Sequence, residues 1–120
     1  MKILIADDSR VMRQIVSRTL RQAGFCGHHL VEAADGRQAL DAVLAESPEL
    51  VLSDWNMPEM DGLEFLRALR AKGVEVSFGF VTSESTPEMR KAAEDAGALF
   101  FITKPFTADI FREVLDVFME

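Results

Sequence analysis

Two continuous apolar segments of this chain each end at aspartate, and this feature restricts the possible folds more than any other. Residues 3–6 lead into Asp7 and Asp8, and residues 50–53 lead into Asp54. A short apolar segment of this kind is typical of a strand buried on both faces, as in a parallel sheet covered by helices. The carboxyl ends of parallel strands meet at one edge of the sheet, where open α/β folds place their sites. We therefore expect the three aspartates to lie together at that edge.

Strand and helix signals alternate along the whole chain. Each predicted strand is followed by a segment with helical spacing of its apolar residues, which favours a parallel sheet with right-handed crossovers and helices on both faces. No linker, repeat or low-complexity segment interrupts the alternation, so residues 1–120 are expected to form a single α/β domain. The predicted strands are 2–6, 30–33, 50–53, 77–82 and 99–103.

The predicted helices begin at side chains that cap helix N-termini. A capping box with Glu64 supports the third helix, and proline at the first helical position supports the fourth. The apolar faces of the first two helices are expected to include Val11 and Leu44, and that of the last helix Ile110 and Phe118. The predicted N-caps are Ser9, Asp35, Asp61, Thr86 and Thr107.

Charge and cysteine content argue against several classes of function. With 20 acidic and 13 basic residues, the chain has a formal net charge of −7, which disfavours direct binding to a nucleic-acid backbone. The single cysteine, Cys26, allows no internal disulfide, and no apolar stretch is long enough to span a bilayer. The first strand follows Met1 directly, without a signal peptide. We expect a cytoplasmic protein that binds neither nucleic acid nor membrane.

The residues at the predicted strand ends suit phosphoryl transfer. Three clustered carboxylates repel one another unless a cation lies among them, and Mg²⁺ prefers oxygen ligands. A lone strand-end aspartate is more commonly structural, but a carboxylate beside a metal can act as a nucleophile toward phosphorus. Lys104 offers a positive charge to a phosphoryl oxygen, and Thr82, with Ser83 as an alternative, offers a hydroxyl. These residues predict Mg²⁺-dependent transfer of a phosphoryl group to Asp54.

The same residues, in the same order along the chain, resemble the receiver domain of two-component response regulators. The resemblance rests on Asp7 and Asp8, on LVLSDWNMPEMDG around Asp54, on FVTSES around Thr82 and on FITKPF around Lys104. It extends over the whole chain and is closest to the stand-alone chemotaxis regulators. It implies a flavodoxin-like, doubly wound (βα)5 sheet with the strand order 2-1-3-4-5.

The resemblance implies specific roles for the residues of the cluster. Asp54 would accept a phosphoryl group from a phosphohistidine on a sensor histidine kinase. Asp8, the Asp54 carboxylate and the main-chain carbonyl of Asn56 would bind Mg²⁺ directly, with Asp7 acting through water. Lys104 would pair with Asp54 at rest and with a phosphoryl oxygen after transfer.

The resemblance also implies a conformational switch. Thr82 would be drawn toward the phosphoryl group, and the aromatic ring of Phe101 would move into the space that it leaves. Many members of the family carry tyrosine at this position, whereas this chain contains no tyrosine. Phe101 can therefore change position but cannot donate a hydrogen bond. The peptide bond between Lys104 and Pro105 would be cis.

The output implied by the resemblance is binding to a protein through the fourth helix, the fifth strand and the fifth helix. The protein would be a monomeric phosphoacceptor with slow self-phosphatase activity, rather than an enzyme with turnover. Asn56 and Glu84 match the positions that set the rate of self-dephosphorylation in the family. Control of the flagellar motor in chemotaxis is one expected output. Thr86 and Pro87 stand where basic residues are expected in a flagellar-switch binder, so a phosphorelay or another partner protein is the alternative.

Two other classes of protein compete with this interpretation. A metal-dependent phosphohydrolase of the haloacid dehalogenase type would carry a second aspartate two residues after the nucleophile, where this chain has Asn56. A flavodoxin-like flavin carrier would need a Ser/Thr/Gly-rich phosphate loop after the first strand. Asp7 and Asp8 occupy that place and would repel the phosphate.

Overall fold

The computed structural model describes residues 1–117, which form one parallel sheet between two layers of helices. The end of the last helix that was predicted to include Phe118 lies outside the described residues. The strands are β1 (Lys2–Ala6), β2 (His29–Ala33), β3 (Leu50–Ser53), β4 (Ser77–Thr82) and β5 (Phe100–Thr103). The helices are α1 (Arg10–Gln22), α2 (Gly36–Glu46), α3 (Gly62–Ala71), α4 (Pro87–Asp95) and α5 (Ala108–Leu115).

The sheet has the order β2-β1-β3-β4-β5 with every pair parallel, which confirms the predicted flavodoxin-like fold. Its register places the ends of the strands side by side. Ala6 pairs with Ser53, so the residues that follow β1 and β3 emerge at the same edge. Thr82 pairs with Thr103, so Thr82 and Lys104 emerge at that edge as well.

The central strands are buried on both faces because alternate side chains enter two separate cores. Leu4 on β1 packs in the core formed with α2 and α3, whereas Ile3 and Ile5 pack in the core formed with α1 and α5. Phe80 on β4 belongs to the first core and is fully buried. This alternation explains why β1 and β3 are continuous apolar segments in the sequence.

The predicted N-caps are confirmed in all five helices. Ser9 Oγ accepts a hydrogen bond from the Met12 amide at 3.2 Å, and the side chains of Asp35, Thr86 and Thr107 make the equivalent bond. Asp61 and Glu64 form the reciprocal capping box. Four of the caps lie within a few residues of the end of the preceding strand, so the loops that join these strands to their helices are short.

Some of the sequence predictions differ from the structure at the surface. Val11, Leu44 and Ile110 are 64%, 48% and 40% exposed, although all three were expected on apolar helix faces. Val11 lies about 100° around α1 from the line through Met12 and Val16, so its side chain leaves the core. Strand β2 begins at His29, one residue earlier than predicted, and β5 one residue later. Among the described residues, no helix has the length and hydropathy needed to cross a bilayer.

Candidate functional site

The three strand-end aspartates form a single cluster, as predicted. The sheet hydrogen bonding continues past the strand ends, since the Asp54 amide donates to the Ala6 carbonyl at 2.8 Å and the Asp7 amide to the Ala33 carbonyl at 3.1 Å. Each aspartate of the set Asp7, Asp8 and Asp54 offers a carboxylate oxygen, and these oxygens lie within 4.8 Å of one another. The backbone of the sheet therefore holds the carboxylates together.

Lys104 lies between two of these carboxylates. Its Nζ is 2.9 Å from Asp7 Oδ2 and 3.3 Å from Asp54 Oδ2. The three side chains are only 13%, 5% and 12% exposed, so water screens the contacts weakly. The Lys104 amide donates to the Thr82 carbonyl at 2.8 Å, and the peptide bond to Pro105 is cis, as the resemblance implied. One ammonium group facing three carboxylates leaves an excess of acidic groups at this edge.

Backbone donors orient the two buried carboxylates. Asp7 Oδ1 accepts a hydrogen bond from the Ser9 amide at 2.9 Å, and Asp54 Oδ1 accepts one from the Trp55 amide at 2.7 Å. Each carboxylate thus directs one oxygen to the backbone and the other to the lysine. Arg13 adds a contact that sequence reasoning missed, because its Nη1 donates to the Asp7 carbonyl at 2.6 Å. Nothing in the local sequence pattern of α1 distinguishes this arginine from its neighbours.

The donors at this edge fit a hard divalent cation. Asp8 is the exposed member of the cluster, and it lines a depression of about 380 Å³ together with Asn56, Met57, Pro58 and Asp61. Asp8, Asn56 and Asp61 bring carboxylate and carbonyl oxygens to this depression, and these are the ligands that Mg²⁺ prefers. An added cation would also offset the excess of acidic groups beside Lys104. The residues that are present therefore suit Mg²⁺.

Thr82 is the most unusual polar residue of the site. It is fully buried at the end of β4, and its Oγ1 has no hydrogen-bond partner within residues 1–117. The neighbouring Ser83 is exposed. A buried hydroxyl without a partner is costly, so such groups are rare in folded proteins. The hydroxyl is thus available to a group that enters the site.

Phe101 packs beside the same edge. Its ring centroid is 5.8 Å from that of Phe80 and 6.3 Å from that of Trp55, and the ring is partly exposed. Trp55 in turn packs on Phe80 at 4.9 Å. Aromatic contacts therefore connect the residue after Asp54 to the residue that the resemblance names as a switch.

Gly62, at the start of α3, lets the helix approach the loop after β3 closely. A Cβ atom at this position would overlap the Asp54 carbonyl oxygen and lie 2.8 Å from Phe80 Cε1. The Gly62 amide also donates to the Trp55 carbonyl at 2.7 Å. Glycine is therefore required by this contact with the backbone of the site.

Gly62→Ala is expected to lower the free energy of unfolding by about 2 kcal/mol and to shift the emission of Trp55, because the site loop must move away from the new methyl group. Urea unfolding and a fluorescence spectrum measure the two effects. Gly24→Ala is the control. Gly24 has φ +99°, and within residues 1–117 no atom beyond its chain neighbours lies within 4 Å of the place a Cβ would take, so this change costs about 1 kcal/mol and leaves the emission unchanged. An unshifted Trp55 spectrum in Gly62→Ala would contradict the expected overlap.

Comparisons with known proteins agree with this geometry. Residues 3–116 match the response regulator receiver domain family. The chain is 37% identical to the chemotaxis protein CheY of Pseudomonas aeruginosa over 122 residues, covering 100% of this chain and 97% of that protein. It is 40% identical over 124 residues to CheY-3 of Vibrio cholerae, covering 100% and 92%. The structure of CheY4 of Vibrio cholerae superimposes with a TM-score of 0.85 at 35% identity, covering 97% and 96%.

Proposed function

This chain belongs to the response regulator receiver family, and from that premise we propose that it is a Mg²⁺-dependent phosphoacceptor switch with Asp54 as its phosphorylation site. One observation carries the proposal most directly. Lys104 contacts the Asp54 carboxylate at the sheet edge where the buried Thr82 hydroxyl has no hydrogen-bond partner among residues 1–117. A phosphoryl group on Asp54 would give both side chains an oxygen to bind. Residues 1–120 would act as one receiver domain.

The positions of these groups suit the proposed transfer. A carboxylate oxygen of Asp54 attacks the phosphorus of a kinase phosphohistidine, so that a P–O bond forms as the P–N bond to imidazole breaks. The Lys104 ammonium group then pairs with a phosphoryl oxygen in place of the Asp54 carboxylate. The Thr82 hydroxyl donates a hydrogen bond to another phosphoryl oxygen. Asp8, Asp54 and the Asn56 carbonyl would hold Mg²⁺, with Asp7 acting through water, and the bound ion would supply further positive charge.

The phosphoryl group would act by shifting a conformational equilibrium. Movement of Thr82 toward the phosphoryl group opens space beside the partly exposed Phe101, whose ring changes position in response. The surface of α4, β5 and α5 then binds the downstream protein in one state better than in the other. Hydrolysis of the acyl phosphate, tuned by Asn56 and Glu84, returns the switch to rest. The protein is thus a switch with slow self-phosphatase activity and no substrate turnover of its own.

The partners that we propose are a sensor histidine kinase and one downstream protein. The similarity to proteins named for chemotaxis supports an output in chemotaxis, with the flagellar motor as the target. Exposed Thr86 and Pro87 at the start of α4 lack the basic charge expected there for motor binding, so a phosphorelay or another partner is the second candidate. A binding assay of the phosphorylated protein with the motor switch component separates the two. The protein would act as a cytoplasmic monomer that binds no nucleic acid.

The proposal is tested by incubating the protein with acetyl phosphate. With millimolar Mg²⁺, intact-mass analysis is expected to show the addition of one phosphoryl group, which hydroxylamine removes as it does from acyl phosphates. With EDTA in place of Mg²⁺, labelling should fall to background, because Lys104 alone cannot offset the charge of the phosphoryl oxygens beside three aspartates. Equal labelling under both conditions would contradict the proposed role of the metal.

A further inference from the structure

The guanidinium group of Arg90, on α4, makes contacts with three different parts of the region around the site. Its Nε donates to Ser85 Oγ at 2.7 Å, in the loop between β4 and α4. One of its terminal nitrogens donates to Thr103 Oγ1 at 3.1 Å, in the residue before Lys104. Its Cζ lies 4.8 Å from the centroid of the Phe101 ring. A single side chain therefore connects the loop that follows Thr82 to both residues of one face of β5.

These contacts are notable because α4 is otherwise weakly anchored. Among the residues of α4, which the structure describes in full, only Ala93 is buried. A helix with so small an apolar contact can change position at low cost, and the polar contacts of the exposed Arg90 add to what fixes it. The guanidinium geometry suits this task, since its donors form a rigid planar group that also stacks on aromatic rings.

We propose that Arg90 is a positioning residue of the switch, which holds the β4–α4 loop and the Phe101 ring in the arrangement that belongs to unmodified Asp54. This inference rests on the proposed function above and adds a residue to it. Phe101 has no hydroxyl with which to fix its own position, and the charge of Arg90 over the ring provides an attraction that does not need one.

The direction of the effect follows from the connectivity. Ser85 is three residues after Thr82, so inward movement of Thr82 displaces the serine that Arg90 binds. Movement of the Phe101 ring removes the aromatic contact of the Arg90 guanidinium group. Both contacts therefore stabilise the resting arrangement more than the phosphorylated one, and their loss shifts the equilibrium toward the latter.

The test uses Arg90→Met, which keeps a long unbranched side chain but removes the charge and the donors. The full chain is titrated with beryllofluoride in the presence of Mg²⁺, as a stable mimic of the phosphoryl group, and the emission of Trp55 is the readout because that ring lies 6.3 Å from Phe101. We expect the half-saturating concentration to fall about threefold to tenfold, because a larger fraction of the protein already has the competent arrangement.

Two further variants separate positioning from a general effect of the substitution. Arg90→Lys keeps a charge near the ring but cannot make both hydrogen bonds, so its midpoint should lie between those of wild type and Arg90→Met. Lys91→Met is the matched control, since Lys91 is the adjacent exposed cation and pairs only with Asp95 at 3.6 Å among the described contacts. Its midpoint should equal that of the wild type.

The possible outcomes distinguish the positioning role of Arg90 from the proposed phosphoacceptor function on which it rests. If the wild type responds to beryllofluoride and Arg90→Met has the same midpoint, Arg90 does not position the switch. If the wild type gives no response, the proposed function itself fails and the role of Arg90 fails with it. Aromatic proton shifts of Phe101, recorded without beryllofluoride, report the ring contact directly and are expected to change in Arg90→Met but not in Lys91→Met.

Discussion

Asp54→Asn is expected to reduce phosphoryl incorporation from acetyl phosphate to less than about 1% of the wild-type level, because an amide lacks the nucleophilic carboxylate oxygen. The fold should persist, since the side-chain carbonyl of asparagine can still accept the hydrogen bond that Asp54 Oδ1 now accepts from the Trp55 amide. The substitution therefore removes the reacting atom while keeping its surroundings. Intact-mass analysis after incubation with Mg²⁺ measures the effect.

The matched control for this experiment is Asp41→Asn, which makes the same chemical change at an exposed position of α2. Its labelling should equal that of the wild type. Retention of wild-type labelling in Asp54→Asn would mean that another carboxylate accepts the phosphoryl group. Asp8, the exposed member of the cluster, would then be the first residue to examine by peptide mapping.

Lys104→Met is expected to lower the free energy of unfolding by about 3 kcal/mol in metal-free buffer. The lysine lies against Asp7 and Asp54, and all three side chains are at most 13% exposed, so its removal leaves two poorly hydrated carboxylates without a cation. Mg²⁺ should restore much of the loss, because it places positive charge beside the same carboxylates. Urea unfolding with Mg²⁺ and with EDTA measures both effects.

Lys72→Met is the control for the change from lysine to methionine. Lys72 is exposed at the end of α3, away from the carboxylates, so its replacement should change stability by less than about 0.5 kcal/mol with or without Mg²⁺. If Lys104→Met is no more sensitive to Mg²⁺ than Lys72→Met, the cation and the lysine do not act on the same carboxylates. The electrostatic account of the site would then be wrong.

The parts of the fold that sequence predicted well depend on local chemistry. Each helix begins at a cap whose side chain bonds an amide three residues later, and such bonds are visible as a residue pattern. The order of the strands could not be predicted in this way, because periodicity indicates that strands are parallel but not which strands are neighbours. The order 2-1-3-4-5 came from the resemblance, and the structure confirms it.

Some features of the site could likewise be predicted from the sequence, and others could not. The clustering of Asp7, Asp8 and Asp54 could be predicted because it follows from where the strands end. The contacts of Arg13 and Arg90 could not, since they depend on how a long side chain crosses from a helix to a different part of the chain. Exposure of Val11 is a further example, because an apolar residue near the edge of a helix face can be buried or exposed without a change in the pattern.

The buried hydroxyl of Thr82 also bears on how selection acts at this position. Valine has nearly the same shape, fills the same space and brings no polar atom into the core, so a chain selected only for persistence of its fold would gain by having it. Threonine instead lowers the free energy of unfolding of every unmodified molecule. Laboratory evolution for heat resistance alone should therefore favour valine at this residue, and selection for signalling should bring threonine back.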